Sequence, residues 1–169
     1  STPSFDFTEV PAGSDDALHV APGYDADVLV RWGDKVLADA PAFDPLKQTP
    51  GAQARQFGYN NDFIGYVPLQ GSSQRGLLVI NHEYTNEELM FPGVGRQDTT
   101  SFTKMTKDLV DIEMMAHGGS VLEVRKRRGK WQIVDNSPYN RRITGTTEMR
   151  ISGPAAGHAL MRTNADPAG

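Results

Sequence analysis

The sequence contains no cysteine, which excludes disulfides, zinc-thiolate sites, iron–sulfur clusters and a thiol nucleophile within these residues. It has no apolar run near the roughly 20 residues a membrane span requires. Its first residues, Ser1-Thr2-Pro3-Ser4, offer neither the basic nor the apolar stretch of a secretory leader. Positive charge is in short supply: 17 Lys and Arg against 21 Asp and Glu give a net charge of −4. No global field therefore draws in nucleic acid or an anionic membrane. Three motifs are also missing: the Gly-x-x-x-x-Gly-Lys-Ser/Thr phosphate loop, the Gly-x-Ser-x-Gly elbow and the His-Glu-x-x-His helix. His82-Glu83-Tyr84-Thr85-Asn86 is no zincin signature, and two common hydrolase classes drop out with these absences.

What the 169 residues do have is 17 Gly and 11 Pro, a combined share above the background of roughly 12%. Frequent turns follow, and a mainly β chain of antiparallel hairpins with one short amphipathic helix is expected. Residues 1–22 mix short apolar groups with acids and suit an extended arm. Val28-Leu29-Val30 before Gly33-Asp34 predicts a strand over 24–32, and the proline-broken stretch 38–56 predicts an ordered connection or a short helical turn. The apolar and aromatic run ending at Leu69 and the run Gly76 to Ile80 predict two strands paired across Gly71-Ser72-Ser73. The second run is continuously apolar, as in a strand buried on both faces. Met105, Leu109, Ile112 and Ala116 form one helical stripe, predicting a helix over about 104–117 with Thr103 as its cap and Gly118-Gly119 as its end. Lys126-Arg127-Arg128-Gly129-Lys130 reads as a hairpin tip between two strands, and shorter strands are expected over 141–144 and 158–162. The recurrence of hairpins suggests degenerate β-propeller blades.

Antiparallel pairing of the first two strands brings two polar clusters to one end, Asn60-Asn61-Asp62 and Asn81-His82-Glu83. Amide and carboxylate oxygens suit a hard cation such as Ca²⁺, whereas Asn-Asn-Asp is equally an ordinary turn that bonds its own backbone. Strand alternation sets Asn81 and Glu83 on one face and His82 on the other. His82 is either a metal ligand or acid-base group, or a satisfied structural histidine. Glu83, at the end of an apolar strand, is expected to bind a cation or to bond a fixed donor such as Arg141 or Arg142. Those adjacent arginines point opposite ways on a strand, so one at most enters a given pocket to grip phosphate or carboxylate; cross-strand ion pairing is the alternative use. The positive charges at the 125–130 tip suit a solvated hairpin. Gly153-Pro154-Ala155-Ala156-Gly157-His158 reads as a tight backbone passage ending in a polar His158.

Five stretches stand in order: Gly58-Tyr59-Asn60-Asn61-Asp62-Phe63, Val79-Ile80-Asn81-His82-Glu83-Tyr84-Thr85, His117-Gly118-Gly119-Ser120-Val121, Tyr139-Asn140-Arg141-Arg142-Ile143-Thr144 and Ser152-Gly153-Pro154-Ala155-Ala156-Gly157-His158. With Pro22-Gly23-Tyr24 ahead of them, the sequence resembles the PhoX-type alkaline phosphatase family. The resemblance implies a β-propeller enzyme that hydrolyses phosphate monoesters, uses calcium and iron, and works in the periplasm or outside the cell. By their side-chain chemistry Asn60, Asn61, Asp62 and Glu83 are the metal-ligand candidates for such an enzyme, and Arg141, Arg142, His82 and His158 are the substrate-binding candidates. Family members are longer, and beyond the segment resembling Asp166 to Gly169 they carry an Asn-Asn-Cys motif that ligates iron, followed by further acidic ligands. Residues 1–169 are therefore expected to be the N-terminal part of such a domain, a 1–22 arm and incomplete blades over 23–169, inactive without the remainder of the polypeptide. The competing expectation is a non-catalytic, calcium-stabilised propeller scaffold or interaction module. Neither involves nucleic acid or a membrane span.

Overall fold

The computed structural model describes residues 7–98 and 100–167. Its centre is an antiparallel sheet built from β1 (Asn61–Pro68), β2 (Arg75–His82), β3 (Gly118–Arg127) and β4 (Lys130–Ile133), in that order. β5 (Arg141–Ile143) pairs with β3 where β4 does not reach. The fold is mainly β with few helices, and the sheet is not closed. Among the described residues three short α-helices accompany it: α1 (Pro50–Gln53), α2 (Glu87–Met90) and α3 (Lys107–Ala116).

Both expected hairpins form. β1 and β2 join through a loop in which Gln70 and Gly71 take positive φ, and the register sets Asn61 opposite His82 and Pro68 opposite Gly76. β3 and β4 turn at Arg128 and Gly129, with φ of 50° and 81°, the two-residue mirror turn that matches the right-handed twist of the strands.

Alternation assigns the two sheet faces. Ile80 and Leu122 point to one side, where Val36 and Phe57 from the loop segment close a core with Val30, Leu37, Leu78 and Ile133 around it. A second core holds α3 in place through Ile112 and Ala116 against Met90 and Phe91, with Trp32, Tyr59, Met105 and Leu109 packed around them. The expected stripe on α3 is thus its buried face. Trp32 links the α1 region to this core by donating its indole N–H to Gln53 Oε1 at 2.6 Å.

Four expectations are corrected. Residues 24–32 form no strand; Val28 is exposed and Val30 packs at the edge of the first core, because no neighbouring strand offers this segment a ladder. β2 is covered on one face only: Ile80 and His82 are buried, while Val79, facing the other way, is 39% exposed. α3 starts later than expected, since Phe102 takes a φ of 47° and Thr106, not Thr103, caps it by accepting from the Leu109 N–H. Residues 158–162 hold a 3₁₀ turn, Ala159–Met161, not a strand.

The open face carries a buried acid. Glu123 on β3 accepts from Arg75 Nε at 2.5 Å and from the Ser137 hydroxyl, and its side chain is 4% exposed. The Arg75 hydrogen bond, aided by Ser137, holds its carboxyl below the usual carboxylate range. A carboxyl depressed in the folded state stabilises above its unfolded pKa, roughly 4.3, and loses that contribution as pH falls through its folded value. Glu123→Gln keeps the shape and both contacts but not the charge. It is expected to cost about 1 kcal/mol at pH 7, and the gap from the parent in urea melts should close as pH falls below roughly 4.3. A pH-independent gap would assign the effect to packing.

Candidate functional site

The rim at which β1 begins and β2 ends is shaped by residues 57–61. Gly58 sits where a Cβ would lie 2.5 Å from the His82 ring and would strike the Ala116 carbonyl, so only glycine lets the chain pass between α3 and β2. Tyr59 N–H then bonds Ala116 O at 3.0 Å. Asn60 adopts a φ of 54°, a conformation that asparagine tolerates better than most residues. Its carbonyl accepts from Glu83 N–H at 3.1 Å, which locks the two polar clusters together through the backbone.

His82 lies beneath this rim at 3% exposure. Its Nε2 is 2.7 Å from Ser120 Oγ and accepts from Gly58 N–H at 3.2 Å, and its Nδ1 is 3.1 Å from Asn61 Oδ1. The Phe57 ring meets it edge-on at 4.7 Å. Burial first, then the charges of Arg142 and His117, push its pKa down to about 3. Arg142 is committed to the backbone: it donates to Gly119 O at 2.7 Å, Ile143 O at 2.9 Å, Met115 O and His117 O. Burial lowers its pKa to about 10, leaving it a cation at neutral pH. Two of those carbonyls, on Met115 and His117, close the C-terminus of α3, the end of a helix that favours positive charge. Arg141 points the other way and is exposed, with Nη1 donating to Pro138 O and Asn140 O.

The other residues singled out from sequence are spread more widely. Asp62 and Glu83 are exposed, and among the described residues neither carboxylate has a hydrogen bond or ion pair, to Arg141, Arg142 or anything else. Asn81 accepts the Phe63 N–H where β1 departs from regular pairing. His158 lies in the exposed stretch after β5, where its Nδ1 accepts from Leu160 N–H at 3.2 Å. The structure thus joins Asn61 to His82 and Asn60 to Glu83, and leaves Asp62 and His158 without a bond to either pair.

Several neighbours escaped the sequence reading. Ser120 is buried against His82. Glu113, on α3, bonds Thr85 and has its pKa raised, chiefly by burial, with Glu87 and Glu88 close enough to raise it further. Tyr59 is likewise raised by burial and then by Glu88 and Tyr84. Tyr59, Tyr84 and Thr85 adjoin the polar stretches already picked out, but their convergence with Glu113 depends on where α3 docks.

As a cation site the rim has the right chemistry without a finished cage. Its free groups are oxygens, carboxylate and amide, which suits calcium. Among the described residues no group of three or more His, Cys, Asp or Glu is close enough to hold a metal ion. With no cysteine in the sequence, nothing in this chain offers iron a thiolate.

What fold and rim together define is an antiparallel sheet module that carries exposed carboxylate and amide side chains above a buried histidine and a half-buried arginine. The chain belongs to the PhoX alkaline phosphatase family, whose family model, Alkaline phosphatase PhoX, matches residues 5–169. A solved structure described as Pseudomonas fluorescens PhoX in complex with vanadate, a transition state analogue, is 40% identical over 96% of this chain, with a TM-score of 0.81. The chain spans 27% of that relative's length. No curated protein is similar enough to count as a relative.

Proposed function

We propose that this chain supplies one wall of the active site of a metal-dependent phosphomonoesterase. The observation that carries the proposal is the β1–β2 register, Asn61 opposite His82, which brings two polar clusters to one rim in a chain of the PhoX family. Asn60, Asn61, Asp62 and Glu83 are the ligands this wall offers to calcium. Iron needs ligands from the remainder of the polypeptide. A bound cation neutralises charge on the phosphoryl group and lowers the pKa of an attacking water. Arg141 is exposed and able to swing toward a phosphate oxygen, with bidentate geometry available. Arg142, held on its carbonyls, adds a fixed positive charge behind the rim. Of the two histidines proposed beside the substrate, His82 is buried beneath the rim and His158 is exposed in the stretch after β5.

The open sheet face supports reading the sheet as a propeller blade. Val67, Val79 and Ile143 are 51%, 39% and 38% exposed, a set of apolar residues that a neighbouring blade would cover. Export to the periplasm or the cell exterior fits the family. Among the described residues no helix is long and apolar enough to cross a membrane.

One observation favours the second reading, a calcium-stabilised scaffold without catalysis: among the described residues no group of three or more His, Cys, Asp or Glu is close enough to hold a metal ion. Calorimetric titration with Ca²⁺, run beside hydrolysis of p-nitrophenyl phosphate with and without chelator, separates the two. The wall reading expects weak calcium binding, no hydrolysis by the 169 residues alone, and chelator-sensitive hydrolysis once they are joined to the remaining family sequence. Calcium binding with no activity in the joined protein would leave the scaffold. No calcium binding in either form would remove both.

A further inference from the structure

Toward the end of the sheet away from the rim lies an open cleft of about 510 Å³, within the usual range for ligand sites. Leu78, on its floor with Val124, stands opposite Tyr66 and four residues before His82 on β2, roughly 13 Å from the rim at strand spacing. Alternation puts Tyr66 and Leu78 on the sheet face opposite Val67 and Val79, so the apolar face left for a neighbouring blade is not the one that carries the cleft. Two rings make a corner in it: Tyr66 and Trp131 meet at 71° with centroids 5.7 Å apart, and they are 42% and 38% exposed. Gly76 is required for this corner, since a Cβ there would lie 2.4 Å from the Tyr66 ring. The remaining wall comes from the segment before Trp32, which forms no strand. Its alternate residues Asp25, Asp27 and Leu29 line the cleft, and Lys130 ties it to the hairpin, with Nζ at 2.9 and 3.0 Å from the two Asp27 carboxylate oxygens.

The polar groups at the mouth choose among ligands. A cation would face Lys130, with Lys126 paired beside Trp131, and an anion would face Asp25 and Asp27. A neutral polyol meets neither conflict, because each hydroxyl both donates and accepts. Asp25 is exposed and has no hydrogen bond or ion pair among the described residues, so its carboxylate is free to accept. Lys130 keeps at least one N–H beyond those held by Asp27. Beneath these groups, the negative faces of the two rings suit the slightly positive C–H face of a sugar. We infer that this cleft is a carbohydrate site, in which Trp131 and Tyr66 stack on a neutral sugar ring while Asp25 and Lys130 bond its hydroxyls. The site is separate from the rim and owes nothing to a metal ion there.

Titration of the full chain with maltotriose, cellotriose and chitotriose, followed through the indole N–H resonances of its two tryptophans, tests the site. At least one of these sugars is expected to move the Trp131 resonance saturably and to leave that of Trp32, which is bonded to Gln53 beside the second core. No saturable shift with any of them, or equal shifts of both indoles, overturns the inference. So does tighter binding of choline or of inorganic phosphate than of any sugar. For a sugar that binds, Trp131→Leu keeps an apolar side chain without a ring and should weaken affinity at least about fivefold, whereas Trp131→Phe should stay within about threefold. Asp25→Ala should also weaken it at least about fivefold. Equal losses in the two Trp131 variants, or an unchanged affinity in Asp25→Ala, overturn the assignment. Should Trp131→Leu fail to fold, Asp25→Ala and the parent resonances decide. The chain joined to the remaining family sequence must bind the same sugar. Loss of binding there would mean that the rest of the polypeptide covers the cleft, and it would overturn the site while leaving the phosphatase reading intact.

Discussion

Gly118→Ala is expected to destabilise the chain by about 3–5 kcal/mol, enough to leave it largely unfolded or insoluble. Gly118 is the junction at which α3 ends and β3 begins, and it takes a φ of 97°, a region that L side chains rarely occupy. Strain of that kind costs about 1–3 kcal/mol. A methyl group there would also land on the Ile143 carbonyl, 2.8 Å from its carbon and 3.1 Å from Thr144 Cα. These are backbone atoms of the last residue of β5 and of the residue after it, and they cannot step aside without breaking the Gly119 and Ile143 pairing, so overpacking adds about 1–3 kcal/mol. Ile143 O is also one of the acceptors that hold Arg142. Gly51→Ala is the control, since Gly51 has an ordinary φ and open space around it, and should melt at or slightly above the parent temperature. If Gly118→Ala melts within about 2 °C of the parent, the junction is not the constraint that the backbone implies.

Local chemistry made the hairpins readable. The charged, glycine-containing stretch 126–130 marks a hairpin tip by composition, and the apolar stripe of α3 carries its docking face. The convergence of Asn61 and His82 was readable too, because antiparallel pairing across a short loop leaves few choices of register. What could not be read depends on contacts distant in sequence. Ser120 meets His82 only because β2 pairs with β3 so that Ile80 stands opposite Ser120. Arg142 ends on the α3 carbonyls because β5 lies beside the helix terminus, and nothing in Arg141-Arg142-Ile143 tells which guanidinium turns inward. Val28-Leu29-Val30 has strand composition but no partner strand, and composition cannot report a missing neighbour. α2 is a single turn, too short to show a period.

Glu83 is the acid on which the rim reading depends most. Its backbone is tied to Asn60 at 3.1 Å, while its carboxylate is exposed and unpaired among the described residues. The sequence argument that burial would force it to find a partner therefore does not apply. The case for Glu83 is availability: a free carboxylate fixed at the backbone level, beside the amides of Asn60 and Asn61, is a ready ligand for a hard cation. Glu83→Gln keeps the shape and the backbone bond and removes the charge. It is expected to leave the melting temperature unchanged, weaken calcium binding, and lower turnover of the joined phosphatase by at least about tenfold, roughly 1.4 kcal/mol of transition-state stabilisation. The nearby acid Glu88 would make a poor control, because it lies close enough to Tyr59 and Glu113 to shift both. Asp108, exposed in the first turn of α3, serves better, and Asp108→Asn should change neither binding nor turnover. If Glu83→Gln matches Asp108→Asn in both measurements, Glu83 belongs to the scaffold.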